Sequence, residues 1–218
     1  MMLGYTVLLA VLTLGAGAGQ QDYNNVIDDF IAKSNDVLKR NGHNIYKLDD
    51  IETTFAFGPK GLERGRFAAH DGLVTGLATI KRVGDVKYTP ASNSFILDLD
   101  WSYDKLSFSY KQFQLHYSAD LSGGIEMRFP ELSGTMQITV NWTKNSGCEA
   151  ELTGAKIHSL GKPLYIFTAD QIPQDFRYNV LKWVMQTFQT PGDKIVEGQM
   201  LDALRQNLNL ADFCNLTQ

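Results

Sequence analysis

From residue 72 to about 167 the chain alternates apolar and polar side chains with a period of two. That period belongs to strands with one buried face. "SFILDLDWSYD", residues 94–104, is the clearest stretch. Phe95, Leu97, Leu99, Trp101 and Tyr103 share one side, and Ile96, Asp98, Asp100, Ser102 and Asp104 the other. "KLSFSYKQFQLHYSAD" repeats the scheme with Leu106, Phe108 and Tyr110, then slips phase to Phe113, Leu115 and Tyr117, which predicts a bulge. Short connections at Gly123-Gly124, Pro130, Gly134, Asn145 to Gly147 and Gly161-Lys162-Pro163 predict six or seven antiparallel strands.

Helical spacing brackets this region. Val26, Ile27, Phe30, Ile31, Val37 and Leu38 form one stripe in residues 22–40, ended by Asn41-Gly42. Asp28, Asp29 and Asp36 on its polar face favour packing on a sheet over lying in a membrane surface. Near the other end, Val180, Leu181, Val184, Met185 and Phe188 form a stripe, Pro191-Gly192 interrupts, and Ile195, Val196, Met200, Leu201, Leu204 and Leu208 form a second. The expected fold class is α+β, with an N-terminal helix and a curved antiparallel sheet wrapped around a long C-terminal helix. A short strand is expected around Phe55 and Phe57. Leu73–Ile80 reads as one strand turning at Gly84-Asp85.

Residues 1–18 carry no charge, and an apolar run from Tyr5 to Leu14 leads to Ala16-Gly17-Ala18. This predicts a cleaved signal peptide over 1–18 and one domain over 19–218, in a secreted, extracellular protein. Two cysteines, Cys148 and Cys214, then pair most simply with each other, closing a loop of 65 intervening residues. Sequons at Asn141-Trp142-Thr143 and Asn215-Leu216-Thr217 offer N-glycosylation at Asn141 and Asn215. Strand parity places Asn141 on the polar face, opposite Ile138, Val140 and Trp142.

The net charge of 20 − 24 = −4 argues against a nucleic-acid partner. The four histidines form no ligand pair, and H-E-x-x-H, C-x-x-C, G-x-S-x-G, P-loop and G-x-G-x-x-G motifs do not occur. No catalytic, metal or cofactor residue is therefore assigned. Asp98, Asp100 and Asp104 read as a solvated strand face.

"GLVTGLATIKRVGDV" carries a family signature. Gly76, Leu77, Lys81, Arg82, Val83, Gly84 and Asp85 resemble the group-seven mite allergen family, and the rhythm continues through "FILDLDWSYDKLSFSYKQ". That family is similar to the tubular lipid-binding proteins, among them insect juvenile-hormone carriers and the N-terminal half of bactericidal and lipopolysaccharide-binding proteins. The chain departs from the hormone carriers in having no cysteine before Cys148, and from the bactericidal relatives in being acidic. The resemblance implies a secreted, arthropod-type, allergen-like binder of a lipid or other hydrophobic molecule, with a microbial amphiphile or membrane surface as a further partner. Candidate lining residues are Phe95, Leu97, Leu99, Trp101, Phe108, Ile138, Val140 and Trp142, facing Val184, Met185 and Phe188. Plain core packing would use the same side chains. Lys81 and Arg82 are either a solvated corner or a headgroup contact at the cleft mouth. A surface-interaction protein with a solid core is the competing class, and an enzyme the third.

Overall fold

The computed structural model describes residues 16–57, 63–116, 120–143, 147–159, 161–168, 194–208 and 213. Helix α1 (Ala16–Arg40) opens the chain. Ile27, Phe30, Ile31, Ser34 and Leu38 are buried along one stripe, as the spacing predicts. Gly42, at φ +72°, turns the chain out of the helix.

Ten strands follow among the described residues: β1 (Ile45–Leu48), β2 (Ile51–Phe57), β3 (Glu63–Thr75), β4 (Ile80–Ala91), β5 (Ser94–Tyr103), β6 (Ser107–His116), β7 (Asp120–Arg128), β8 (Ser133–Thr143), β9 (Gly147–Ser159) and β10 (Leu164–Phe167). A second helix, α2, spans residues 194–207. The phase slip in β6 is real: the register with β7 shifts between Tyr110 and Phe113.

The strands form two antiparallel sheets, where the alternation alone suggested one. The six-stranded sheet runs β1-β3-β6-β7-β10, with β2 also on β3, and the four-stranded sheet runs β4-β5-β8-β9. Hairpins alternate between them, so the chain crosses from sheet to sheet after β3, β5, β7 and β9. Three of the crossings are stitched side by side. The Asp104 amide donates to the Thr79 carbonyl at 3.0 Å, Phe129 to Leu106 at 3.0 Å, and Tyr103 to Leu132 at 3.3 Å.

The stretch 72–88 is one of these crossings. Strand β3 ends at Thr75, Gly76 turns at φ +84°, and β4 begins at Ile80. Residues 73–80 are therefore not one strand. Gly84-Asp85 is not a hairpin turn but lies in an irregularity of β4, between Val83 and Lys87. Leu77 and Ala78 in the link are buried, so the apolar rhythm runs on while the backbone changes sheet.

Helix α1 covers the outer edge of β4. Asn35 donates to the Ile80 carbonyl at 2.8 Å and accepts from its amide at 3.2 Å. Asn24 accepts from the Val86 amide at 2.9 Å. Side-chain amides thus occupy backbone groups that an open edge would offer to another strand. Side chains from both sheets and both helices meet in one buried apolar cluster. The expected long C-terminal helix is not seen among the described residues, where the final helix is α2 alone, over 194–207. The first stripe, Val180 to Phe188, lies outside the described residues.

Candidate functional site

Strand β5 supplies the inner face of the four-stranded sheet. Phe95, Leu97, Leu99, Trp101 and Tyr103 are each at most 3% exposed. Strand β8 answers rung by rung: Val140 lies opposite Phe95, Ile138 opposite Leu97, Met136 opposite Leu99, and Gly134 opposite Trp101. The missing side chain at Gly134 admits the indole, since a β-carbon there would stand 2.5 Å from Trp101 Cζ2.

Six of the sequence-predicted lining residues (Phe95, Leu97, Leu99, Trp101, Ile138 and Val140) therefore share one sheet face. Phe108 is buried too, but it belongs to β6 of the other sheet, edge-on to Phe129 with ring centroids 5.2 Å apart. Trp142 has the parity of Val140 yet is 37% exposed at the end of β8, with its ring 6.2 Å from that of Phe95. Val184, Met185 and Phe188 lie outside the described residues. The helical side of the cluster is supplied by Ile27, Phe30 and Ile31 of α1 and by Val196, Met200 and Leu204 of α2. Phe213 packs edge-on against Phe30 at 5.6 Å.

Four buried side-chain polar atoms among the described residues have no hydrogen-bond partner: Trp101 Nε1, Tyr103 Oη and Asn207 Oδ1 in the core, and Tyr165 Oη on β10, packed against it. Burial alone pushes the Tyr103 phenol well above its ordinary range, so it stays neutral. Tyr103 and Asn207 were not singled out as site residues from sequence. Tyr103 is visible there as the last member of the β5 stripe, whereas a single asparagine in an apolar helical stripe carries no comparable signal. Buried polar side chains are confined to Ser34, Ser107 and Asn207 among the described residues, and none is charged.

Lys81 and Arg82 lie outside the core, and both are engaged. Lys81 Nζ is 2.9 Å from Asp104 Oδ1. Arg82 binds Asp28 through Nε at 2.9 Å and Nη2 at 2.8 Å. A headgroup at this corner would compete with two carboxylates. Close by, where the sheets meet, Asp104, Lys105, Ser107, Glu126, Arg128 and Leu164 border a recess of about 430 Å³.

Cys148, at the start of β9, is not a free thiol; Cys214 lies outside the described residues. Asn141 is half-buried on β8, and Asn215 lies outside the described residues. No described helix is long and apolar enough to cross a membrane.

An antiparallel two-sheet body with helices on a shared apolar face defines a class of α+β protein suited to enclosing apolar surface. No family model matches the sequence, and no curated protein matches it. Among solved structures, the chain is similar in fold to one described as the crystal structure of lipopolysaccharide binding protein, with a TM-score of 0.54 and 12% identity. The match covers 87% of this chain and 39% of that one, so this chain spans about two fifths of that structure's length.

Proposed function

We propose that the chain is a secreted binder or carrier of a lipid or other hydrophobic small molecule, held against the inner face of β5 and β8 and covered by helix. The observation that carries this reading is the fold likeness to a lipopolysaccharide binding protein over 87% of the chain. The continuous apolar face from Phe95 to Trp101 supports it, because it supplies the surface such a guest needs. The driving force is apolar area leaving water, about 25 cal/mol per Å² before ordering costs.

The same reading places the chain near the group-seven mite allergens, on the Gly76–Asp85 signature, and outside the cell, on the signal-like residues 1–18. It includes a Cys148–Cys214 disulfide, glycans at Asn141 and Asn215, and a role as carrier rather than enzyme. Microbial amphiphiles and membrane surfaces are the partners next in line.

Displacement of an uncharged fluorescent lipid probe from purified protein tests the proposal. Saturable, displaceable binding at about one site per chain supports it. No binding, with the protein folded, points instead to a solid core and a surface-acting protein.

A further inference from the structure

Trp101 Nε1 and Tyr103 Oη are buried without partners. Both belong to side chains at most 1% exposed, two residues apart on one strand face, with ring centroids 5.6 Å apart and planes at 90°. Buried polar groups are nearly always hydrogen-bonded, and an orphan is costly. Two neighbouring orphans at the end of the apolar β5 stripe therefore call for a partner that the described residues do not supply.

We infer that Trp101 and Tyr103 receive the polar atom of the bound guest, and that this atom is an uncharged oxygen of an alcohol, ether, ketone or ester. The inference rests on the carrier reading above. An indole N–H only donates, and a phenol donates or accepts. A single oxygen with two lone pairs satisfies both donors at once, and a hydroxyl can in addition donate to the phenol oxygen. A third orphan, on α2, is Asn207. Its Nδ2 donates to the Ala203 carbonyl at 2.7 Å, which leaves Oδ1 as an acceptor without a donor.

The described surroundings of these atoms offer a charged guest nothing. No charged side chain is buried among the described residues. A carboxylate or phosphate brought to Trp101 would lose its water without gaining a counterion among the described residues, which disfavours its entry. Charged headgroups therefore stay outside, and the site selects neutral, oxygen-bearing apolar molecules. Gly134 is a positioning residue here: a β-carbon on it would stand 2.8 Å from Trp101 Cε2, the ring atom bonded to Nε1.

The test uses the full chain as wild type and Tyr103→Phe, with dodecanol, methyl dodecanoate, dodecanoate and dodecane competing against one fluorescent apolar probe. Wild type should bind the alcohol and the ester more tightly than the carboxylate. Tyr103→Phe should weaken the alcohol about tenfold, the worth of one hydrogen bond, and leave the alkane unchanged. The guest-free variant should be no less stable than wild type, because its phenol had no bond to lose. Equal weakening of every competitor, or of none, overturns the inference while the carrier reading stands. A guest-free variant that is less stable, with unaltered affinities, assigns the two atoms to an internal water and also overturns it. Wild type that binds none of the four, nor the probe, overturns both.

Discussion

Arg82 on β4 grips Asp28 on α1 with two parallel hydrogen bonds, Nε to Oδ1 at 2.9 Å and Nη2 to Oδ2 at 2.8 Å. The arginine side chain is only 17% exposed, against 52% for the aspartate. A planar fork on a carboxylate, partly shielded from water, holds more firmly than an open surface pair. Arg82→Gln should therefore cost about 1 kcal/mol, and a double-mutant cycle with Asp28→Asn should return a coupling of about 0.5–1 kcal/mol in urea denaturation. Lys81→Gln, at the exposed pair with Asp104, should stay within about 0.5 kcal/mol of wild type.

The Asn35–Ile80 clamp makes a sharper claim. Asn35→Ala leaves a half-buried amide and carbonyl of β4 without partners. A loss of about 1–3 kcal/mol is expected. Hydrogen exchange should report it locally, with faster exchange at the Ile80 amide and little change at central β5 amides. Uniform acceleration across both sheets would mean that the clamp only adds to global stability.

Gly76 cannot accept a side chain without rearrangement. Its φ of +84° disfavours an L-residue, and a β-carbon would stand 2.6 Å from the carbonyl carbon of Lys105. Gly76→Ala should cost about 2 kcal/mol or more, seen as a lowered midpoint of thermal unfolding. Gly84→Ala shares the positive φ of +68° but has open space around it, and should cost clearly less.

Acid should destabilise the fold through specific carboxylates. Hydrogen bonds from His70 to Asp50, from Lys81 to Asp104 and from Arg128 to Glu126 each hold the acid below its ordinary range. The unfolded chain then takes up protons first as pH falls. Their contribution is complete above the unfolded carboxylate range and is lost as pH drops through the depressed folded values, below about 4. The melting temperature should fall in that window, and Asp104→Asn should flatten part of the slope. All three pairs are exposed enough that added salt should shrink the effect.

The proposed Cys148–Cys214 bond should contribute on the order of 4 kcal/mol, from the length of the loop it closes. Reduction should lower the melting temperature markedly, and Cys148→Ser with Cys214→Ser should match the reduced protein. No response to reductant would remove the disulfide from the account.

The β5 stripe was fully legible because each inward residue from Phe95 to Tyr103 is buried and the period never breaks. The bulge in β6 was legible for the same reason, since the slip between Tyr110 and Phe113 shifts the pattern itself. The division into two sheets was not. Leu77, Leu106, Phe129 and Leu132 sit in the links yet are buried in the core, so hydrophobicity continues across the first three changes of sheet. Which strand pairs with which is a long-range matter that local periodicity does not encode. The polar feature of the site was hidden for a related reason: Trp101 and Tyr103 read as apolar members of a stripe, and only the folded surroundings reveal that their polar atoms lack partners.

Native mass spectrometry with lipid extraction, on protein secreted from arthropod cells, tests the central claim most directly. The account predicts a stoichiometric, co-purified apolar molecule that is released on unfolding. A clean guest-free mass, together with no binding of an uncharged fluorescent lipid probe, would contradict it.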